Sequence, residues 1–212
     1  MSFNAALRCA LFASLFALVG CGGLFGGGDK ATLYRFGDNA PPVADEARAQ
    51  AGTGQVLQLL YPGVSFQPAS RGDRILTVTD AQVGYVAGAR WVSPASTLFD
   101  ATMVRELERL SPGIRVVRIG ESPAADYVLA IDMRRFEAVY SRGQEAAPDV
   151  VVDARMKLIR RADRAIIGEW PVTHSEPAQE NRVALIVAAF DRGTAAVAAQ
   201  IAGRTQQVLA SQ

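Results

Sequence analysis

Hydrophobic and polar positions change period along the chain, and the changes mark out its elements. Residues Arg74–Asp80 alternate, with Ile75, Thr77 and Thr79 opposite Leu76 and Val78, as a half-buried strand does. Val150, Val152, Ala154, Met156 and Leu158 share one face of a second alternating run, while Asp153, Arg155 and Lys157 share the other. That pattern predicts a strand over 150–160 in a sheet with one solvated side. Further strands are expected at 31–36, 56–61, 114–119, 126–140 and 165–174. Arg161–Arg164 forms a turn between the last two runs of the body.

The period lengthens after Ser93-Pro94, a good helix start because Ser can accept from unpaired amides and Pro lacks a donor that would have no partner there. Phe99, Met103, Leu107 and Leu110 then follow one helical stripe up to Ser111-Pro112-Gly113. A second stripe begins after Ser175 and Pro177. It runs through Val183, Ile186, Val187, Phe190, Val197, Ile201 and Val208, with Gly193 marking a kink or a close approach. Together these elements predict an α+β fold: a mostly antiparallel sheet with two amphipathic helices packed on one face, a two-layer single domain. The stretch Gly37–Gly54, rich in Ala, Pro and Gly, has no sustained period and reads as a loop.

Composition adds most at the N-terminus. Both cysteines of the chain, Cys9 and Cys21, fall in its first 21 residues. Ala10–Val19 is an apolar run of ten residues preceded by Arg8, too short to cross about 30 Å of hydrocarbon but suited to the core of a signal peptide. It leads into Leu18-Val19-Gly20-Cys21, which resembles the lipobox of bacterial lipoproteins. The resemblance implies cleavage before Cys21 and acylation of that residue, with residues 1–20 as the signal peptide. Two or three acyl chains at roughly 0.8 kcal/mol per buried CH₂ would hold the mature chain on a membrane. Residues 21–30 then form a Gly-rich tether of at most about 30 Å. Gly22 follows the cysteine where an Asp would signal inner-membrane retention, so the outer membrane is the expected destination. The competing reading is an ordinary secretory signal that leaves Cys21 as a free thiol.

Charge narrows the partners. Removing Arg8 from the 22 Lys and Arg leaves 21, equal to the 21 Asp and Glu, and the mature body is formally neutral. No basic stripe is present to follow a nucleic-acid backbone. Residues 31–212 contain no cysteine and a single imidazole, His174, so thiolate metal sites and cysteine nucleophiles are excluded from the body, and no metal or cofactor is expected. The body also lacks a Gly-x-Ser-x-Gly elbow, and Gly26-Gly27-Gly28 is not followed by the Gly-Lys-Ser/Thr of a phosphate loop.

The order of landmarks is more specific than any one of them. A Tyr-bearing strand follows the lipobox. Tyr85 comes next, then Trp91-Val92-Ser93-Pro94 opening a helix that closes on Leu107-Glu108-Arg109-Leu110. Asp126-Tyr127-Val128-Leu129-Ala130-Ile131-Asp132 and Phe136-Glu137 follow, with an Ala-rich amphipathic helix last. Over residues 31–212 the chain resembles the PqiC-like ABC-type transport auxiliary lipoprotein family. The resemblance implies a non-enzymatic lipoprotein that works, as a homo-oligomer, with an ABC ATPase, a permease and an MCE-domain protein in moving lipid between membranes. The alternative, with the same anchor and fold, is an independent periplasmic lipoprotein that binds polysaccharide or peptidoglycan or assists outer-membrane assembly.

Apart from Cys21, the candidate functional residues are few. Tyr85 and Trp91 are candidate contacts for a partner or a lipid, Tyr85 within a small, apolar stretch, Gly84–Ala89, that reads as a partner-binding or lipid-facing loop or equally as a buried connection. Trp91 equally suits a clamp on the start of the following helix. Asp126 and Asp132 lie an even six residues apart and could act as a carboxylate pair, although pairing with Arg134, Arg135 or Arg155 is the more ordinary fate. His174 is in phase with Ile166, Trp170 and Val172, where a packed histidine is far commoner than a reactive one.

Overall fold

A computed structural model describes residues 31–37, 56–110, 113–122 and 124–212. The expected signal peptide, Cys21, the expected tether and residues 38–55 lie outside the described residues. Among the described residues, nine strands form one mixed sheet with three helices. The strands are β1 (Thr32–Tyr34), β2 (Leu57–Leu60), β3 (Val64–Phe66), β4 (Arg74–Thr79), β5 (Gln82–Trp91), β6 (Ile114–Val117), β7 (Tyr127–Val139), β8 (Asp149–Arg160) and β9 (Ile166–Pro177). The helices are α1 (Pro68–Arg71), α2 (Ala95–Leu110) and α3 (Val183–Leu209).

The sheet is organised around β7. One edge of this strand pairs antiparallel with β8 from Tyr127↔Arg160 to Val139↔Asp149, and β9 continues beyond β8. Along the other edge lie three short strands, each parallel to β7: β2 at Tyr127–Val128, β3 at Ile131–Met133 and β4 at Ala138–Val139. β6 and β1 add parallel strands to β2 and β5, and β4 and β5 form an antiparallel pair. Five of these eight pairings are thus parallel, which corrects the expectation of a mostly antiparallel sheet. The antiparallel ribbon β7-β8-β9 is long and alternates visibly. By contrast, β2, β3 and β6 have three or four residues each, too few for alternation to reveal a partner that lies up to 70 residues away.

A bulge lies between Met133 and Arg135. Ahead of it Leu129, Ile131 and Met133 point into the core; beyond it Phe136 and Ala138 do. The extra residue reverses the parity, so both halves of a 13-residue strand present their apolar side chains to the same layer. From β8 that layer receives the predicted Val150, Val152, Ala154, Met156 and Leu158, all buried.

Both long helices cover this face. Phe99, Met103 and Leu107 of α2 are wholly buried, as the stripe requires, and Leu110 is half-buried at its end. From α3 come Ile186, Phe190, Val197 and Ile201. Gly193 is buried where α3 crosses β8: a Cβ there would stand 3.3 Å from Val152 Cγ2, so close packing, with no side chain between, is what the glycine allows. At the centre Phe36, Trp91, Phe136 and Phe190 form an aromatic cluster with centroids 4.9–6.4 Å apart. The opposite face of the ribbon is polar and paired, with Glu169 reaching both Arg155 and Lys157, Arg135 meeting Glu137, and Thr173 donating to Asp153.

Candidate functional site

The structure separates the candidate residues. Trp91 is 2% exposed, edge-on to Phe36 at 5.0 Å and to Phe190 at 5.3 Å. It lies in the core and presents no surface to a partner. Gly84–Ala89 belongs to the ten-residue strand β5, which corrects its reading as a loop. The glycines and a positive φ of 64° at Gly88 hide its alternation, because β5 shifts register against β4 between Arg74 and Leu76. Tyr85 is half-buried on this strand. Its hydroxyl donates to the Ala69 carbonyl at 3.2 Å, and the Arg74 guanidinium stacks 3.6 Å from its ring centroid.

The two aspartates have separate structural tasks. Asp126 precedes β7, where its Oδ2 accepts from the Gln58 amide at 2.8 Å while its own amide donates to the Gln58 carbonyl at 2.9 Å. Asp132 is exposed and 3.9 Å from Arg134. Six residues of strand hold the two about 20 Å apart, too far to share a proton or a cation. Even spacing identifies a common face but not proximity.

His174 is half-buried on β9, its Nε2 3.1 Å from Glu176 Oε2, and Arg192 of α3 donates to Glu176 Oε1 at 2.7 Å. These two hydrogen bonds, that of Arg192 first, hold the Glu176 carboxyl below its ordinary value. The set ties the sheet edge to the helix.

What residue spacing could not show is a groove of about 340 Å³ beyond the start of α3. β4 and β5 continue past the helix here and leave the helix-side face of their hairpin uncovered. Thr77, Thr79, Tyr85 and Val86 line the strand side, and Val183 and Ile186 the helix side. A polar wall closes it: Tyr140 donates to Asn181 Oδ1 at 2.9 Å, and the Asn181 amide donates to the Gln144 carbonyl at 2.7 Å. Burial pushes the Tyr140 phenol above its ordinary value, so it remains a neutral donor. None of the described lining residues is charged. With hydroxyls, amides and aliphatic groups but no nucleophile–base pair among them, the arrangement is one for binding an uncharged, partly apolar group.

A mixed sheet covered on one face by two long helices, with such a groove at one end, makes this an α+β domain. Its family follows from comparison: residues 40–202 match the family described as the ABC-type transport auxiliary lipoprotein component, and the chain belongs to that family. The family is defined by an auxiliary role in ABC-type transport and is not a known enzyme class. Among solved structures, a protein from Xanthomonas campestris is similar at 26% identity and a TM-score of 0.68, covering 85% of this chain and 98% of the other. A second, uncharacterized protein shares the fold at 18% identity and a TM-score of 0.63, covering 83% and 99%. A hypothetical protein from Chlamydia trachomatis does so at 9% identity and a TM-score of 0.51, covering 74% and 99%. No curated protein matches the sequence.

Proposed function

We propose that this protein is a non-enzymatic lipoprotein subunit of an MCE-type intermembrane lipid transport system, held at the periplasmic face of the outer membrane by Cys21 and docking the transporter there. The observation that carries the reading is the family match over residues 40–202 in a chain that also has a lipobox-like run ending at Cys21. An auxiliary lipoprotein of an ABC-type system must meet membrane-embedded subunits. A Gly-rich tether of at most about 30 Å, as read from the sequence, would let a folded domain do so without crossing the bilayer itself. The neutral mature body suits attachment by acyl chains and packing better than by charge.

The test is purification of the full-length lipoprotein from detergent-solubilised membranes. Recovery of an ATPase, a permease and an MCE-domain protein with the wild type, and loss of membrane attachment in Cys21→Ala, are the expected results. Repeated recovery without any MCE-domain protein would overturn the transport reading, and recovery on peptidoglycan or polysaccharide would favour the independent binding protein.

A further inference from the structure

The hairpin of β4 and β5 has an edge that the sheet leaves open. β4 pairs with β5 on one side, and β1 takes up the other side only at residues 89–91. Among the described residues no strand lies beside residues 82–88 on that side. Thr79 and Gln82 close a two-residue hairpin, with Asp80 at φ 51° in the turn. Such a closing pair exchanges both of its hydrogen bonds, and bonded pairs then alternate along the ladder. Gln82 and Gly84 therefore bond to β4, while Val83 and Tyr85 turn their N–H and C=O groups outward. The stretch itself, Gln-Val-Gly-Tyr-Val-Ala-Gly, has neither charge nor proline. β9, whose outer edge is also open among the described residues, is guarded instead by Pro171, Pro177 and Glu169.

We propose that this stretch of β5 is a docking site for an extended segment of a partner protein, which adds to the sheet as a strand and sets one uncharged side chain into the neighbouring groove. Outward amides and carbonyls on alternate residues are complementary to the backbone of another strand and to little else. The two faces of β5 fix the side chains that such a strand carries. Gly84 pairs with Thr77 on the helix side, where the groove lies, and a Cβ at Gly84 would stand 3.3 Å from Thr77 Oγ1. The missing side chain leaves the groove open toward the edge, with Val86 and Ile186 as apolar walls. None of the described lining residues is charged, so Asp, Glu, Lys and Arg are disfavoured at the inserted position. The opposite face of β5 carries Tyr85, paired with Leu76, and Val83, 63% exposed. Residues on either side of the inserted one therefore meet apolar surface. Neither the Cys21 anchor nor the transport reading enters into this assignment.

The experiment uses the full-length lipoprotein in detergent and a phage-displayed library of random decapeptides. Enriched peptides are synthesised and their affinities measured by calorimetry. The expected peptides carry an uncharged residue flanked by apolar ones. Methylating the backbone nitrogens of alternate residues, in the register that faces β5, should weaken binding about tenfold, and methylating the intervening ones should leave it unchanged. Val83→Pro removes an outward N–H that β4 does not use. It should weaken binding by a similar factor while the circular dichroism spectrum stays that of the wild type. Thr79→Trp fills the groove and should shift the preference at the inserted position to small residues. Hydrogen exchange of the protein alone should find the Val83 and Tyr85 amides unprotected and the Gly84 amide protected, and peptide should protect all three. An absence of enriched peptides, or binding indifferent to which nitrogens are methylated, would overturn the proposal. So would protection of the Val83 and Tyr85 amides before any peptide is added, which would assign the edge to another part of this chain or to a second copy. The methylation and exchange measurements use the wild type, so they decide the matter even if Val83→Pro fails to fold.

Discussion

The Tyr61 hydroxyl donates to Asp100 Oδ1 across 2.6 Å, and the same oxygen accepts from the Val64 amide at 2.8 Å. One carboxylate of α2 thereby holds both sides of the Pro62-Gly63 turn between β2 and β3. Gly63, at φ 102°, lets the chain turn beneath it. Tyr61 is 2% exposed, and burial, with the Asp100 charge beside it, drives its phenol far above the ordinary range, so it serves as a permanent donor. Asp100→Ala leaves that donor and the Val64 amide without this acceptor, and is expected to cost about 2 kcal/mol. Tyr61→Phe removes one hydrogen bond and should cost about 1 kcal/mol. Urea titrations of the two variants and the double variant check this, and the double variant should be less destabilised than the sum.

Trp91→Ala empties the centre of the aromatic cluster and is expected to destabilise by about 3–5 kcal/mol. Thermal unfolding measures the loss. A drop in partner recovery without a change in stability would return Trp91 to the surface role that its burial argues against.

Gly193 and Val152 are expected to be coupled. Alanine in a helix is favoured over glycine by about 1 kcal/mol, but the new Cβ would press on Val152 Cγ2 at 3.3 Å. Gly193→Ala alone should therefore gain less than that amount, and gain more when made in a Val152→Ala background. A double-mutant cycle by chemical denaturation reads the difference.

Glu176 gives the fold a pH dependence of definite sign. Its folded carboxyl lies below its ordinary 4.5 because Arg192 and His174 hydrogen-bond the charged form. As acid is added, the unfolded chain takes up this proton before the folded one does. The contribution is thus complete above the unfolded value and lost as pH falls through the folded one. Wild type should be more stable than Glu176→Gln at neutral pH, and the gap should narrow as the pH falls below 4.5 and close once it passes below the folded value. Denaturant midpoints measured across that range are the check.

Much of the fold was legible because burial writes a period into the chain. The stripe of Phe99, Met103 and Leu107 and the alternation from Val150 to Leu158 each record one apolar face, and those residues are all buried. β5 was not legible: Gly84 and Gly88 carry no side chain to alternate, and the positive φ at Gly88 breaks the strand's rhythm. The groove was hidden for another reason. Its walls come from Thr79, Tyr140 and Val183, residues unremarkable in type whose meeting depends on which strands pair and where a helix begins.

The sequence by itself determined the two long helices and the longer strands of the body, the absence of cysteine from it, and the lipobox-like run that ends at Cys21, because each is a local pattern of residue types. Only the tertiary structure decided that β2, β3 and β4 share one edge of β7 in parallel, that Trp91 lies inside, and that Asp126 and Asp132 stay apart. Those outcomes depend on contacts between distant segments, where the gain from burying a common face outweighs the entropy of closing the intervening chain. No local period records that balance.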